Sequence, residues 1–134
     1  MPGNFFDSNI LLYVAGSDAA KAAQAATLIA EGGTISIQVL NEITNVARRK
    51  MLLSWNEVHP MLDAFRGLLD VVPLTIEIHE SGLSIAERYK LSTYDAMIVA
   101  AAVDAGCTTL WSEDMQHGLL IDERVRIRNP FRRD

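Results

Sequence analysis

Four acidic side chains pose the chemical question. Asp7, Glu42, Asp95 and Asp114 are spread along a chain of 134 residues. Three of them border apolar residues: Phe6 precedes Asp7, Ile43 follows Glu42, and Ala96, Met97 and Ile98 follow Asp95. Singly, each has an ordinary explanation. The helix dipole favours a carboxylate in a first turn, and Asp after a strand is common turn chemistry. Gathered in apolar surroundings, however, carboxylates repel one another and take up protons. A hard divalent cation removes that cost, because it requires oxygen ligands and supplies the opposite charge. Such an ion polarises a phosphoryl oxygen and lowers the pKa of a bound water, and two ions about 4 Å apart stabilise both the attacking and the leaving oxygen of an in-line displacement. The pattern therefore points to hydrolysis at phosphorus. No rival catalyst is spelled in the chain: it contains no G-x-x-x-x-G-K-[ST] loop, no G-x-S-x-G elbow and no zinc-type histidine pair. His59 and His79 fall on amphipathic segments and are expected at or near the surface. His117, three residues past Asp114, is within reach of the same place.

For the four acids to meet, the backbone must bring them to one edge. Asn4 to Asp7 reads as a strand built on Phe5 and Phe6. Ser8 or Asn9 is expected to cap a helical turn through Tyr13, and Asp18 to cap an alanine-rich helix from Ala19 to Glu31 that Gly32 and Gly33 end. Thr34 to Ile37 is a β-branched strand, and Gln38 to Lys50 a helix with Val39, Leu40, Ile43 and Val46 at helical spacing. Ser54 with Glu57 forms a capping box for a helix whose buried stripe is Val58, Leu62, Phe65 and Leu69. Val71 to Leu74 is a third strand, which Pro73 assigns to an edge or a strand end. Thr75 opens a helix to about Tyr89. Ser92 or Thr93 caps another from Tyr94 to Ala105, apolar nearly all round and so buried on more than one side. Cys107 to Trp111 and Val125 to Ile127 complete the strands. Alternating strands and helices predict βαβ crossovers and a parallel sheet covered on both faces. Open sheets of this kind bind ligands at the carboxyl ends of their strands. Asp7 ends the first strand, Glu42 lies early in the helix after the second, Asp95 in the first turn of the buried helix, and Asp114 three residues beyond the fourth strand.

Composition bounds the rest. With 49% apolar and 22% charged residues, the chain is an ordinary globular protein rather than a disordered one, and its length favours one domain over residues 1–134. Cys107 is the sole cysteine, which excludes an intramolecular disulfide or a cysteine-based zinc site and fits a reducing compartment. A net charge of -5 argues against a protein that coats nucleic acid. The basic residues are uneven: Arg124, Arg126, Arg128, Arg132 and Arg133 cluster near the end, and Arg48, Arg49 and Lys50 form a second group. These read either as a cationic rim for a phosphate-cutting centre or as a solvated helix end and a tail. The start of the chain lacks a basic leader, and the longest apolar run, Ala96 to Val103, falls far short of the ~20 residues that span a bilayer. A cytoplasmic location is expected.

The quoted residues also form a recognisable set. Phe5-Phe6-Asp7-Ser8-Asn9-Ile10-Leu11-Leu12-Tyr13 resembles the opening motif of PIN-domain nucleases, and Glu42 within Val39-Leu40-Asn41-Glu42-Ile43 looks like their second acidic position. Tyr94-Asp95-Ala96-Met97-Ile98-Val99-Ala100-Ala101-Ala102 resembles the third, and Ser112-Glu113-Asp114-Met115-Gln116-His117-Gly118 the fourth. The small size is similar to VapC-like toxins of toxin–antitoxin pairs. The resemblance implies a three-layer α/β/α sandwich with a central, mostly parallel sheet. It implies a Mg²⁺- or Mn²⁺-dependent endoribonuclease, usually a homodimer, silenced by a cognate antitoxin. Asp7, Asp95 and Asp114 would then hold metal directly or through water, and Glu42 would complete the shell or orient the attacking water. Asn9 and Ser112 match polar positions that support the acids. His117 stands where the family often has an aromatic residue, and Glu113 competes with Asp114 for the inward position. Two other functions fit the same pattern: a phosphate-monoester hydrolase on a similar sheet, although Asn9 replaces the second acid of its D-x-D motif, and a non-catalytic module that binds a partner and represses its own operon.

Overall fold

The computed structural model describes residues 3–132. In chain order the elements are β1 (Asn4–Phe6), α1 (Ser8–Val14), α2 (Ala19–Ala30), β2 (Thr34–Ser36), α3 (Ile37–Arg49), α4 (Trp55–Leu68), β3 (Asp70–Val72), α5 (Ile76–Tyr89), α6 (Thr93–Asp104), β4 (Thr109–Trp111), β5 (Leu120–Ile121) and β6 (Val125–Arg128). The strands form one sheet in the order β3-β2-β1-β4-β6-β5. All pairings are parallel except β5 with β6. β1 lies in the interior of the sheet, with Phe5 opposite both Thr34 of β2 and Leu110 of β4. Successive strand residues point to opposite faces, yet Phe5 and Phe6 are both fully buried. The sheet is therefore covered on both sides by helices, which makes three layers, a fold with a central and mostly parallel sheet.

Most element boundaries follow from caps. Asp18 Oδ1 accepts from the Lys21 N–H, Thr75 Oγ1 from the Ile78 N–H and Ser92 Oγ from the Asp95 N–H. Ser54 and Glu57 make the expected reciprocal contact, the Ser54 N–H donating to Glu57 Oε1. In α6, Ala96 to Ala102 are buried without interruption, as its all-round apolar surface requires. Helix α5 packs close against it because Gly82 has no side chain: a Cβ there would stand 2.7 Å from Met97 Sδ. No helix among the described residues is long and apolar enough to cross a membrane.

Several local expectations change: β3 is Asp70–Val72 instead of Val71–Leu74, and β4 opens at Thr109 instead of Cys107. The cap of α1 is Asp7 itself, not Ser8 or Asn9. Ile37 opens α3 instead of ending β2, because Ser36 Oγ accepts from the Val39 N–H and sets the helix start one residue earlier. Strand β5 has no counterpart in the sequence reading. It is only two residues long, and its turn places Asp122 and Glu123 at φ 50° and 58°, where Asn-Gly would be the usual signal. Tyr89 holds that turn from outside, accepting from the Asp122 N–H at 2.9 Å, with Arg88 on the Asp122 carboxylate at 2.6 Å.

The chain enters β2 in close contact with β1. A Cβ on Gly33 would stand 2.7 Å from the carbonyl oxygen of Asn4 and 2.7 Å from Phe6 Cε2. Neither can retreat, because one is backbone and the other a buried ring. Gly33→Ala is expected to cost about 1–3 kcal/mol, seen as a lower urea midpoint with an unchanged slope. An unchanged midpoint would mean that the junction of β1 and β2 is plastic.

Candidate functional site

Strands β1, β2 and β4 run parallel, so Asp7 after β1, Ser36 at the end of β2 and Ser112 after β4 come out at one edge. Helix α3 starts at that edge and carries Glu42 in its second turn. Helix α6 ends where β4 is about to begin, the Cys107 N–H donating to the Ala102 carbonyl. Its first turn, with Asp95, therefore lies at the opposite end, beside Asp7. The loop after β4 supplies Asp114.

Short hydrogen bonds stitch these residues together around Asp7, which is buried. Asp7 Oδ1 accepts from the Ser8 N–H at 2.7 Å. Asp7 Oδ2 accepts from Ser112 Oγ at 2.7 Å and from Asn9 Nδ2 at 3.0 Å. The same Asn9 amide donates to Asp114 Oδ2 at 3.2 Å, so it bridges the two aspartates. On the other side the Ser8 hydroxyl reaches Glu42 Oε1 at 3.0 Å and Asp7 Oδ1 at 3.4 Å. Gln38 Nε2 holds the second Glu42 oxygen at 3.1 Å. Asp95 has no direct hydrogen bond to this network and meets it through space.

The electrostatics reflect this crowding. Burial pushes the Asp7 carboxyl up from 3.8 to about 6; the Ser112 hydroxyl and the Ser8 N–H pull against it, and the negative charges of Glu42 and Asp95 add to the rise. Burial also raises Asp95, against the pull of Ser92 and with a further push from Asp114. The two ion pairs among the described residues, Lys21–Glu113 and Arg88–Asp122, involve none of the four acids. Among those residues no group of three Asp, Glu, His or Cys side chains stands close enough to form a ready-made ion cage. The donors are nonetheless all oxygen, and no lysine or arginine of the described residues forms an ion pair with them. That chemistry suits a hard divalent ion that keeps most of its waters and takes only a few carboxylates.

Glu113 faces the other way. Its carboxylate takes Lys21 Nζ at 2.6 Å and the Tyr13 hydroxyl. Although burial alone would raise it, those two partners hold it below the usual range. Lys21 also lies 4.9 Å over the Tyr13 ring and 5.0 Å over that of Phe131. The Glu113 N–H donates to Asn9 Oδ1 at 3.1 Å, fixing the amide orientation that lets Asn9 donate to both aspartates. His117 Nδ1 accepts from the Asn129 N–H at 2.9 Å and so anchors the segment after β6. Of the basic clusters, Arg48 stacks 4.5 Å over the Trp55 ring and Arg126 donates to the Gly118 carbonyl. Arg133 lies outside the described residues.

Sequence reasoning missed Ser8, Gln38 and Lys21. Gln38 carried a signal, four residues before Glu42 on one helix face. Ser8 had one in its place directly after Asp7. Lys21 had none, because its partner is 92 positions away.

The family model described as the PIN domain matches residues 5–118. Among solved structures, the chain is similar to a toxin–antitoxin complex from Klebsiella pneumoniae, at a TM-score of 0.72 and 19% identity, covering 96% of this chain and 98% of that one. It is similar to VapBC2 from Rickettsia felis bound to a promoter DNA fragment, at 0.67 and 18%, covering 94% and 97%. It is also similar to VapC20 of Mycobacterium tuberculosis, a sarcin-ricin loop cleaving toxin, at 0.60 and 19%, covering 80% and 86%. These likenesses establish the fold. Curated protein sequences yielded no match.

Proposed function

From the premise that the chain belongs to the PIN-domain family, whose model spans all four acids, we propose that it is a single-domain, divalent-metal-dependent endoribonuclease and the toxin of a toxin–antitoxin pair. The observation that carries this reading is the bridged acid cluster: Asp7 tied through Asn9 to Asp114 and through Ser8 to Glu42, with no cation of the protein's own among the described residues to balance it. Asp7, Asp95 and Asp114 are the residues to hold Mg²⁺ or Mn²⁺, directly or through water. When bound, the ion polarises the phosphoryl oxygen and acidifies a water. Glu42 completes the shell or orients the attacking water, and Ser8 and Gln38 fix its direction. Asn9 and Ser112 hold Asp7 in one rotamer.

Neighbouring structures support the biological half of the proposal. The Klebsiella pneumoniae structure is a toxin–antitoxin complex, and the Mycobacterium tuberculosis protein is a toxin that cleaves the sarcin-ricin loop. On that analogy the substrate is RNA and a cognate antitoxin silences the site; a homodimer as the active form and a cytoplasmic location complete the proposal from the sequence resemblance alone. The Rickettsia felis structure, bound to promoter DNA, favours an accompanying role in repression. The phosphate-monoester alternative loses ground because the Asn9 side chain serves as a donor between two aspartates, where a phosphatase of that kind needs a second acid.

The test is Mn²⁺ calorimetry on the wild type and on Asp95→Asn, with cut sites mapped in total RNA. The expected result is metal binding that Asp95→Asn weakens by at least tenfold, and discrete Mn²⁺-dependent cuts. Release of phosphate from a monoester with RNA left intact would transfer the site to the phosphatase class. Absence of both metal binding and cleavage, with tight binding of an antitoxin, would leave a partner-binding module.

A further inference from the structure

Beside Glu42 the surface holds a groove of 280 Å³ whose chemistry the acids do not need. Gln38, Asn41, Glu42, Asn45 and Tyr94 line it. Glu42 itself is part of the lining, so the groove meets the acid cluster there, and Tyr94 immediately precedes Asp95 at the start of α6. Tyr94 is 67% exposed, and its side chain forms neither a hydrogen bond nor a ring contact among the described residues. A large ring left in water gains nothing for the fold. Asn41 and Asn45 lie one turn apart on α3, on one face, and their amides are likewise unpartnered. Each amide offers a carbonyl acceptor and two N–H donors. No lysine or arginine lines the groove, so a phosphate has nothing there to hold it. A nucleobase has a use for every part: a π face for the ring and a polar edge for the amides.

We propose that this groove binds one unpaired nucleobase of the RNA, next to the phosphate that is cut, with Tyr94 stacked on its face and Asn41 and Asn45 on its edge. The inference rests on the nuclease reading and adds a specificity element to it. Only a base that is free of its complement can present both face and edge. The enzyme therefore selects single-stranded positions, and Tyr94, Asn41 and Asn45 choose among bases while the acids cut.

The probe is a single-stranded RNA octamer carrying 2-aminopurine, bound to the full-length protein with Ca²⁺ in place of Mn²⁺ and read by fluorescence. Tyr94→Ala is expected to weaken binding by roughly ten- to a hundredfold, the range of one lost base–aromatic stack. Tyr94→Phe is expected to retain it, because the ring remains. The double variant Asn41→Ala with Asn45→Ala is expected to lose discrimination among octamers that differ at one base. Mn²⁺ calorimetry without RNA should give the wild-type affinity in all of these variants. If the wild type binds the octamer and Tyr94→Ala binds it equally well, the base site is overturned and the nuclease reading stands. If Tyr94→Ala changes only the sedimentation of the protein, the ring belongs to a protein interface and the base site is again overturned. If the wild type itself binds no RNA, the nuclease reading fails and the groove proposal falls with it.

Discussion

Asp7→Asn is expected to lower Mn²⁺-dependent RNA cleavage by about a thousandfold or more while leaving the protein folded. The reasoning starts from what the substitution keeps. Asn has the shape of Asp, and its carbonyl oxygen still accepts from the Ser8 N–H that caps α1. The Ser112 hydroxyl, which now donates at 2.7 Å, is able to rotate and accept from the new amide, whereas the Asn9 amide loses its acceptor on this side chain and keeps the one on Asp114. What disappears is the negative charge at the centre of the cluster. A divalent ion at a phosphoryl group contributes several kcal/mol of transition-state stabilisation, and each 1.36 kcal/mol is a factor of ten in rate, which sets the thousandfold scale. Asp95→Asn should behave alike, because Asp95 is coupled to both Asp7 and Asp114. Single-turnover cleavage of a mapped RNA substrate, with circular dichroism and melting on the same samples, provides the check. Full activity in both variants would end the assignment of these residues.

The second large effect concerns pH. In the presence of a chelator, the protein should lose stability as pH rises through the range from about 4 to 6. Below that range Asp7 is protonated in the folded and the unfolded chain alike. Within it the unfolded chain, with a carboxyl near 3.8, releases the proton that the folded chain retains up to about 6. The folded state then binds more protons than the unfolded one, so each step upward in pH destabilises it. The interval is worth roughly 3 kcal/mol. Other carboxyls titrate in the same window with different signs. Asp95 is raised and adds to the loss, whereas Glu57 and Glu113 are lowered and contribute stability that disappears as pH falls. The informative quantity is therefore the urea stability of the wild type minus that of Asp7→Asn. That difference should fall by about 3 kcal/mol between pH 4 and pH 7 and then level off. Mn²⁺ at neutral pH should restore the wild type by mass action and leave Asp7→Asn unmoved. A difference that stays flat across the range would show that Asp7 is not a buried, disfavoured anion.

Much of this architecture was readable in advance. Helices α2, α4, α5 and α6 announce themselves by capping residues and periodic apolar positions, both properties of neighbouring residues. The parallel order followed from the alternation of strands and helices, and the common edge of Asp7, Glu42, Asp95 and Asp114 from that order. What stayed hidden depends on partners distant in sequence. Nothing near Glu113 says that it turns toward Lys21, nor that its backbone N–H sets the amide of Asn9. The hairpin turn at Asp122 was invisible because its support comes from Tyr89 and Arg88, on a helix more than thirty residues earlier. The role of His117 was equally obscure, since its partner is the backbone of Asn129.

The position of β1 inside the sheet has a consequence for biosynthesis. Asp7 emerges from the ribosome more than a hundred residues before Ser112 and Asp114, which follow β4, one of the two strands that pair with β1. Until Trp111 docks alongside Phe6, a nascent chain holds its first acid without the neighbours that orient it. Whatever this edge does, it begins to do only after Asp114 has been made, which gives the cell an interval in which the growing polypeptide is chemically silent.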